Sequence, residues 1–89
     1  MIEKKIARNK KIAGRELEGK FCLINPENSE LIVMNETGTL IWKSIETPQT
    51  INELTEMIFE QYESSKDEIK NDITSFLTKL EKTGMVKIK

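Results

Sequence analysis

The stretch that decides the fold is LIVMN at residues 31–35, which leads directly into ETGTLIW at residues 36–42. Its four successive apolar residues favour a strand, and successive side chains of a strand point to opposite faces of the sheet. The alternating pairs are Leu31 with Val33 and Ile32 with Met34. One core can bury only one of these pairs, so the other must face away from it and needs some other cover.

Two further strands are predicted before this stretch. Residues 12–17 alternate weakly around Gly14, whereas residues 21–24 (FCLI) are apolar throughout. The PENS segment at residues 26–29 is typical of a turn, because proline presets φ and Asn and Ser side chains can bond to the local backbone. Residues 30–34 then return as the third strand, and the three strands make an antiparallel meander.

Three helices are predicted after the meander. Asn35 suits the N-cap of the first, and T-x-x-E at 50–53 and S-x-x-E at 65–68 have the spacing of capping boxes. Gly84 is the expected left-handed cap that ends the third helix, and residues 85–88 can add a last short strand. The third helix carries an apolar stripe at helical spacing, made of Ile69, Ile73, Phe76, Leu77 and Leu80. Strands followed by helices predict an α+β protein in which a three-stranded antiparallel sheet is followed by three helices.

Length and charge set the domain organisation. Eighty-nine residues are enough for one modest core, so residues 12–89 are predicted to be a single domain. Residues 1–11 hold five basic residues against one acid and are predicted to be a flexible basic N-terminal arm.

Composition argues against several functional classes. Fourteen basic and fifteen acidic residues give a net charge of −1, whereas nucleic-acid-binding surfaces usually show a basic excess. The absence of histidine removes the commonest general base and metal ligand, and the lone Cys22 predicts a buried, inert thiol in a reducing cytoplasm. No long apolar stretch or glycine-rich phosphate loop is present. We therefore expect a cytoplasmic protein without membrane, nucleic acid, metal or other cofactor, and without catalytic activity.

The third strand is the candidate binding element. Residues 31–34 contain none of the charges, prolines or glycines that normally protect an edge strand, so an extended peptide can add there as a further strand. The alternative is that a helix or residues 85–88 cover this edge. Four or five backbone hydrogen bonds contribute only about 0.5–1.5 kcal/mol each. Micromolar binding needs about −8 kcal/mol, so an adjoining pocket is expected, with the third helix as its floor.

The predicted peptide-binding residues lie on these two elements. Those of the strand and its end are Glu30, Leu31, Ile32, Val33, Met34 and Asn35. Those of the third helix are Lys66, Ile69, Asp72, Ile73, Phe76 and Lys79. We expect Ile73 and Phe76 to line the pocket, and Lys66, Asp72 and Lys79 to form its rim.

Several motifs, in order, resemble one known family. NPE at residues 25–27 and VMNETGTLIW at 33–42 are similar to the P…hhLN-x-T-(A/G)-x-x-hW pattern of the PqqD family, named after pyrroloquinoline quinone biosynthesis. The resemblance continues through TINEL at 50–54, Tyr62 and the DITSFL…GMV run of 72–86. It departs after the first helix, where ETPQ replaces the usual Asp-Gly turn.

The resemblance implies a small winged-helix-like domain that binds the leader segment of a ribosomally made precursor peptide. In that family the leader lies as an extra strand against the third strand and packs on the third helix. The domain delivers the peptide to a modifying enzyme, often a radical S-adenosylmethionine protein, or to a leader peptidase and cyclase in lasso-peptide systems. A peptide chaperone of this kind is expected to be a monomer or a weak homodimer.

Two other functions fit the same element order. A winged-helix DNA-binding transcriptional regulator also combines three helices with a sheet, although the near-neutral charge weighs against it. A dimerisation module, in which third strands pair across a two-fold axis, would also use the unprotected edge.

Overall fold

The computed structural model describes residues 4–89 of the chain. Its strands form two antiparallel three-stranded sheets, and with three helices they confirm the predicted α+β class. In chain order the elements are β1 (Lys5–Arg8), β2 (Ala13–Leu17), β3 (Lys20–Asn25), β4 (Glu30–Val33), α1 (Glu36–Ser44), β5 (Gln49–Thr50), α2 (Ile51–Phe59), α3 (Lys66–Lys82) and β6 (Val86–Ile88).

The first sheet is the predicted meander, with strand order β2-β3-β4, and we call it the meander sheet. Its register pairs Leu23 of the central strand with Gly14 on one side and Ile32 on the other. Leu23 is fully buried, so this row of residues faces the core. The prediction of three consecutive antiparallel strands is confirmed.

The second sheet has the order β5-β1-β6, and we call it the closing sheet because it joins the two ends of the described chain. Its central strand β1 contains Ile6, which is fully buried. The prediction of a flexible arm is therefore wrong for Lys5–Arg8, while residues 1–3 lie outside the described residues. The basic composition suggested solvation, but strand alternation turns Ile6 into the core while Lys5 stays exposed.

The core lies between the sheets and the helices, and both sheets and all three helices contribute to it. Its buried apolar side chains include Ile6, Leu23, Ile41, Leu54 and Leu77. Burying a side chain of this size contributes about 1.5–3 kcal/mol. Pairing of β1 with β6 is thus part of the core rather than an appendage to it.

The predicted caps of the helices are confirmed, except that the box predicted at Ser65 and Glu68 forms only the bond from the Glu68 N–H to Ser65 Oγ among the described residues. At the start of α1, Asn35 Oδ1 accepts a hydrogen bond from the Gly38 N–H at 2.8 Å. At the start of α2, the Glu53 N–H donates to Thr50 Oγ1 at 3.1 Å, and the Thr50 N–H donates to Glu53 Oε1 at 2.9 Å. Gly84 has a φ of 77° after α3, as expected of a left-handed cap. These bonds satisfy backbone donors that a helix leaves unpaired at its first turn.

The end of α3 is tied to the meander sheet by an amide side chain. Asn25, which is buried, donates from Nδ2 to the Thr83 carbonyl oxygen at 2.9 Å. A Cβ on Gly84 would lie 2.8 Å from the same Nδ2, so a larger residue would push the two elements apart. This contact fixes α3 beside the meander sheet.

Cys22 is partly exposed, so the prediction of a buried thiol is wrong. It lies on β3 opposite Val33, and this row of the meander sheet faces away from the core. Among the residues described, no helix is long and apolar enough to cross a membrane.

Candidate functional site

The backbone of β4 presents hydrogen-bonding groups on its outer edge. The Met34 N–H donates to the Phe21 carbonyl oxygen at 2.8 Å, so the backbone groups of residue 34 point toward β3. Residues of an antiparallel strand alternate in this respect, so the N–H and C=O groups of Leu31 and Val33 point away from β3. Within residues 4–89, no strand pairs with this edge. The alternative that residues 85–88 cover it is wrong, because β6 pairs with β1.

The side chains of β4 divide as the alternation requires. Leu31 and Val33 are 57% and 67% exposed, whereas Met34 is 2% exposed and Ile32 is half-buried. The pair that faces away from the core is therefore Leu31 with Val33. The sequence alone could not decide between this pair and Ile32 with Met34. The outward pair lies on the strand with the exposed edge.

An open cavity of about 310 Å³ adjoins the residues that follow β4. Asn35 lines it at the start of α1, and Asp72 and Phe76 line it from α3. Its apolar lining also includes Ile69 and Ile73, which are almost fully buried. The predicted pocket with α3 as its floor is thus present next to the end of the exposed edge.

A glycine sets the width of this cavity. A Cβ on Gly38 would lie 3.0 Å from Phe76 Cζ and 3.2 Å from Met34 Cβ, closer than ordinary contacts. Because Gly38 lacks that atom, the first turn of α1 packs directly against the Phe76 ring. Phe76 is thereby held at the cavity wall, beside the residue that ends the third strand.

The cavity combines an apolar floor with polar groups at its margin. Asp72 is exposed, and among the described residues its carboxylate has no ion-pair partner. The hydroxyl-bearing residues Tyr62 and Ser64 also line the cavity. A side chain with an apolar body and a hydrogen-bond donor at its end would match this lining.

Two of the predicted rim residues lie outside the cavity lining. Lys66 pairs with Glu56 Oε1 of α2 at 2.7 Å and lies 5.0 Å from the centre of the Phe59 ring. Lys79 is exposed further along α3, and Glu30 is exposed at the start of β4. Of the twelve predicted peptide-binding residues, the cavity lining contains Asn35, Ile69, Asp72, Ile73 and Phe76. All twelve remain predictions as a peptide-binding site.

Sequence reasoning missed several lining residues. Ile58 and Tyr62 come from the end of α2 and the segment after it, and Thr37 and Gly38 come from α1. Tyr62 continues the apolar stripe of α2, and this was the available signal. In the part of the chain that the structure describes, no group of three or more His, Cys, Asp or Glu could hold a metal ion.

Comparison with known proteins assigns the family. The family model described as Coenzyme PQQ synthesis protein D (PqqD) matches residues 21–86, which is most of the chain. The chain belongs to the PqqD family. No curated protein sequence matches the chain.

Two solved structures have the same fold. One is described as "TbiB1 in Complex with the TbiA(beta) Leader Peptide", with a TM-score of 0.85 and 15% identity over 91% of this chain and 94% of that one. The other is described as "Lasso peptide synthetase B1 complexed with the leader peptide", with a TM-score of 0.82 and 18% identity over 92% and 96%. At such low identity the likeness establishes the fold alone.

Proposed function

We propose that this chain is a non-catalytic peptide chaperone that binds the leader of a ribosomally synthesised precursor peptide and presents it to a modifying enzyme. The observation that carries this proposal is the exposed edge of β4 next to an open cavity of about 310 Å³. TbiB1 and the lasso peptide synthetase B1, which share the fold, are both described as complexes with a leader peptide. Family membership supports the same function.

The binding mode is strand addition at β4. Leu31 and Val33 offer two N–H and two C=O groups to an incoming strand. Four hydrogen bonds at about 0.5–1.5 kcal/mol each give roughly 2–6 kcal/mol before the leader's ordering cost is subtracted. Micromolar affinity needs about 8 kcal/mol, so side chains must contribute the rest at about 1.5–3 kcal/mol each. The cavity lined by Phe76 and Ile73 is where an apolar leader side chain would be buried.

The partner that receives the leader is a modifying enzyme. Radical S-adenosylmethionine proteins and leader peptidases with their cyclases are the two classes that the family resemblance implies. In this proposal the chain supplies recognition while the enzyme supplies the chemistry.

The DNA-binding alternative has little support in the charges of α3. This helix would have to enter the major groove, yet its 17 residues include four lysines and four acidic residues. DNA-binding surfaces release counterions from phosphates and need a basic excess. A balanced helix does not provide one.

Fluorescence anisotropy with a labelled leader tests the proposal. The leader is taken from a short open reading frame sought next to the gene, and a scrambled leader and a DNA duplex are the controls. We expect binding at about micromolar Kd or tighter for the native leader alone. Equal binding of the scrambled leader, or binding of the duplex in place of the leader, would contradict it. The Asp72→Asn variant is titrated in the same way. It keeps the shape of the cavity margin and removes its charge, so its leader affinity reports the contribution of that charge.

A further inference from the structure

The outer face of the meander sheet is an apolar surface with no cover among the described residues. In the strand register, Ala13, Ile24 and Leu31 form one row, and Arg15, Cys22 and Val33 form the next. The third row pairs Leu17 with Lys20. Of the five exposed large hydrophobic residues among those described, four lie on this face, namely Leu17, Ile24, Leu31 and Val33. Such a concentration marks an interaction surface rather than scattered exposure.

The charges on this face all have one sign. Arg15 and Lys20 are the charged residues of the three rows, and within residues 4–89 neither is in an ion pair. The acid in the neighbouring row, Glu16, points the other way and pairs with Lys43 of α1 at 2.7 Å. Within these three rows the outer face therefore carries positive charge only.

This charge pattern argues against self-association through the outer face. In a two-fold dimer the same patch meets itself, so every charge contact between the copies would join like charges. A partner with an apolar surface and acidic side chains would instead complement both the hydrophobic rows and the basic residues. The leader itself is not that partner, because strand addition occupies the edge of β4 and leaves the face open.

We propose that the outer face of the meander sheet is the docking surface for the modifying enzyme, which meets it with an apolar patch carrying acidic side chains. This inference rests on the proposed function, since it concerns the enzyme that receives the bound leader. Leu31 and Val33 belong both to this face and to the strand that the leader extends. An enzyme docked here therefore lies directly beside the leader strand, which continues the same sheet.

Charge reversal on the outer face is the first test. The double variant Arg15→Glu/Lys20→Glu is compared with Lys87→Glu/Lys89→Glu, which makes the same change in net charge at the exposed end of the chain. The probe is the leader-modifying enzyme sought among the neighbouring genes, immobilised for a binding titration at saturating leader. We expect the first variant to bind the enzyme about tenfold or more weakly, and the second to stay within about twofold of the native chain.

An apolar pair of variants separates docking from general loss of hydrophobic surface. Ile24→Asp changes an exposed residue of the outer face on the central strand β3, and Phe59→Asp changes a residue of similar exposure on α2. We expect only Ile24→Asp to weaken enzyme binding, with leader anisotropy of both variants within about twofold of native. Circular dichroism confirms that each variant is folded.

The outcomes distinguish this inference from the proposed function. Enzyme affinity that is unchanged by Arg15→Glu/Lys20→Glu and Ile24→Asp, or absent in the native chain, overturns the docking surface while leader binding stands. A native dimer in sedimentation velocity that Ile24→Asp dissociates also overturns it, in favour of self-association. Failure of the leader to bind, with enzyme binding still sensitive to the outer face, overturns the proposed function and leaves the docking surface supported.

Discussion

The closing sheet and the meander sheet have equal numbers of strands and the same antiparallel pairing, but they treat their edges differently. The edge strands of the closing sheet have two and three residues, and they lie next to α2 and α3 in the chain. The edge strands of the meander sheet have five and four residues. Short edges offer little backbone to another chain, so only the meander sheet presents a usable template.

The outer faces of the two sheets differ in the same sense. In the closing sheet the two rows that flank the Ile6 row carry Lys5 and Lys87 respectively, both exposed and charged. In the meander sheet the outward rows carry Leu31, Val33 and Ile24. The closing sheet, with its short edge strands and charged outer residues, thus contributes mainly to stability. The meander sheet, with its exposed edge and apolar outer face, is the one proposed to bind other molecules. Changes in the closing sheet should affect folding, and changes in the meander sheet should affect binding.

Ile6→Ala is expected to have the largest effect, and it acts on stability. Ile6 is fully buried on the central strand of the closing sheet, and truncating such a residue typically costs about 2–5 kcal/mol. Guanidinium denaturation followed by circular dichroism measures the free energy of unfolding. The matched truncation Val33→Ala, at a residue 67% exposed, should change it by no more than about 0.5 kcal/mol. Equal costs at the two sites would remove the distinction between the sheets.

The short strand predicted at residues 85–88 is confirmed as β6, but the other two strands of the closing sheet and its pairing were not predicted from the sequence. Ile6 is a single apolar residue in a basic segment, and its strand partner Ile88 is at the other end of the chain. Local patterns do not report such pairing, because it depends on how the whole chain closes. The caps at Asn35 and Thr50 were predictable because each depends on residues three positions apart.

The candidate site was predictable in part for the same reason. Alternation identified two possible outward pairs on β4, but only the register, fixed by the Met34–Phe21 hydrogen bond, decides between them. Helical spacing put Ile73 and Phe76 on the correct face of α3. The partner of Lys66 was missed because Glu56 lies on a different helix.

Val33→Pro is the second prediction and addresses the edge of the meander sheet. The Val33 N–H points outward, so proline removes a donor to the incoming strand without removing a bond to β3. The ring also occupies space that the leader backbone needs. We expect leader binding to fall by at least about tenfold in anisotropy titrations, with stability within about 1 kcal/mol of native.

Val33→Thr is the control for that variant, since it keeps both the N–H and the branched side chain. Its leader affinity should match that of the native chain. A folded Val33→Pro variant with native affinity would show that the leader does not add at β4. The site would then have to be sought elsewhere on the molecule.

Gly38→Ala should have a smaller effect, confined to binding. Alanine gains about 0.5–1 kcal/mol in a helix over glycine, which offsets the cost of the tight contact with Phe76. Because Phe76 lines the cavity, its ring can give way only by narrowing that space. We expect leader affinity to fall by about three- to tenfold while the free energy of unfolding changes by less than about 1 kcal/mol.

Shortening the displaced side chain tests the cause of that loss. In a double-mutant cycle, Phe76→Leu should restore part of the affinity that Gly38→Ala removes, because the two side chains then no longer compete for space. Additive losses would mean that Gly38 acts through helix geometry instead of through Phe76.

Glu53→Gln is expected to have the smallest effect on stability. It changes the capping box that joins β5 of the closing sheet to α2. The Thr50 backbone N–H, which belongs to β5, donates to the Glu53 carboxylate, and the Thr50 hydroxyl adds to the same effect. These hydrogen bonds hold the pKa of Glu53 below its ordinary value, so folding favours the ionised form. The resulting stabilisation is present at pH above the ordinary carboxyl pKa and is lost as pH falls through the lowered value.

The pH dependence of the free energy of unfolding tests this role of the Glu53 carboxylate. Denaturation at pH 7 and at pH 3 should show that the stability difference between native chain and Glu53→Gln shrinks in acid, because glutamine does not titrate. Glu60→Gln, an exposed change at the far end of α2, is the control that removes the same charge without touching Thr50. Leader affinity at pH 7 should be the same in both variants, since neither residue lines the cavity or lies on β4. A difference that persists at pH 3 would mean that the carboxylate charge contributes nothing to the junction of β5 and α2.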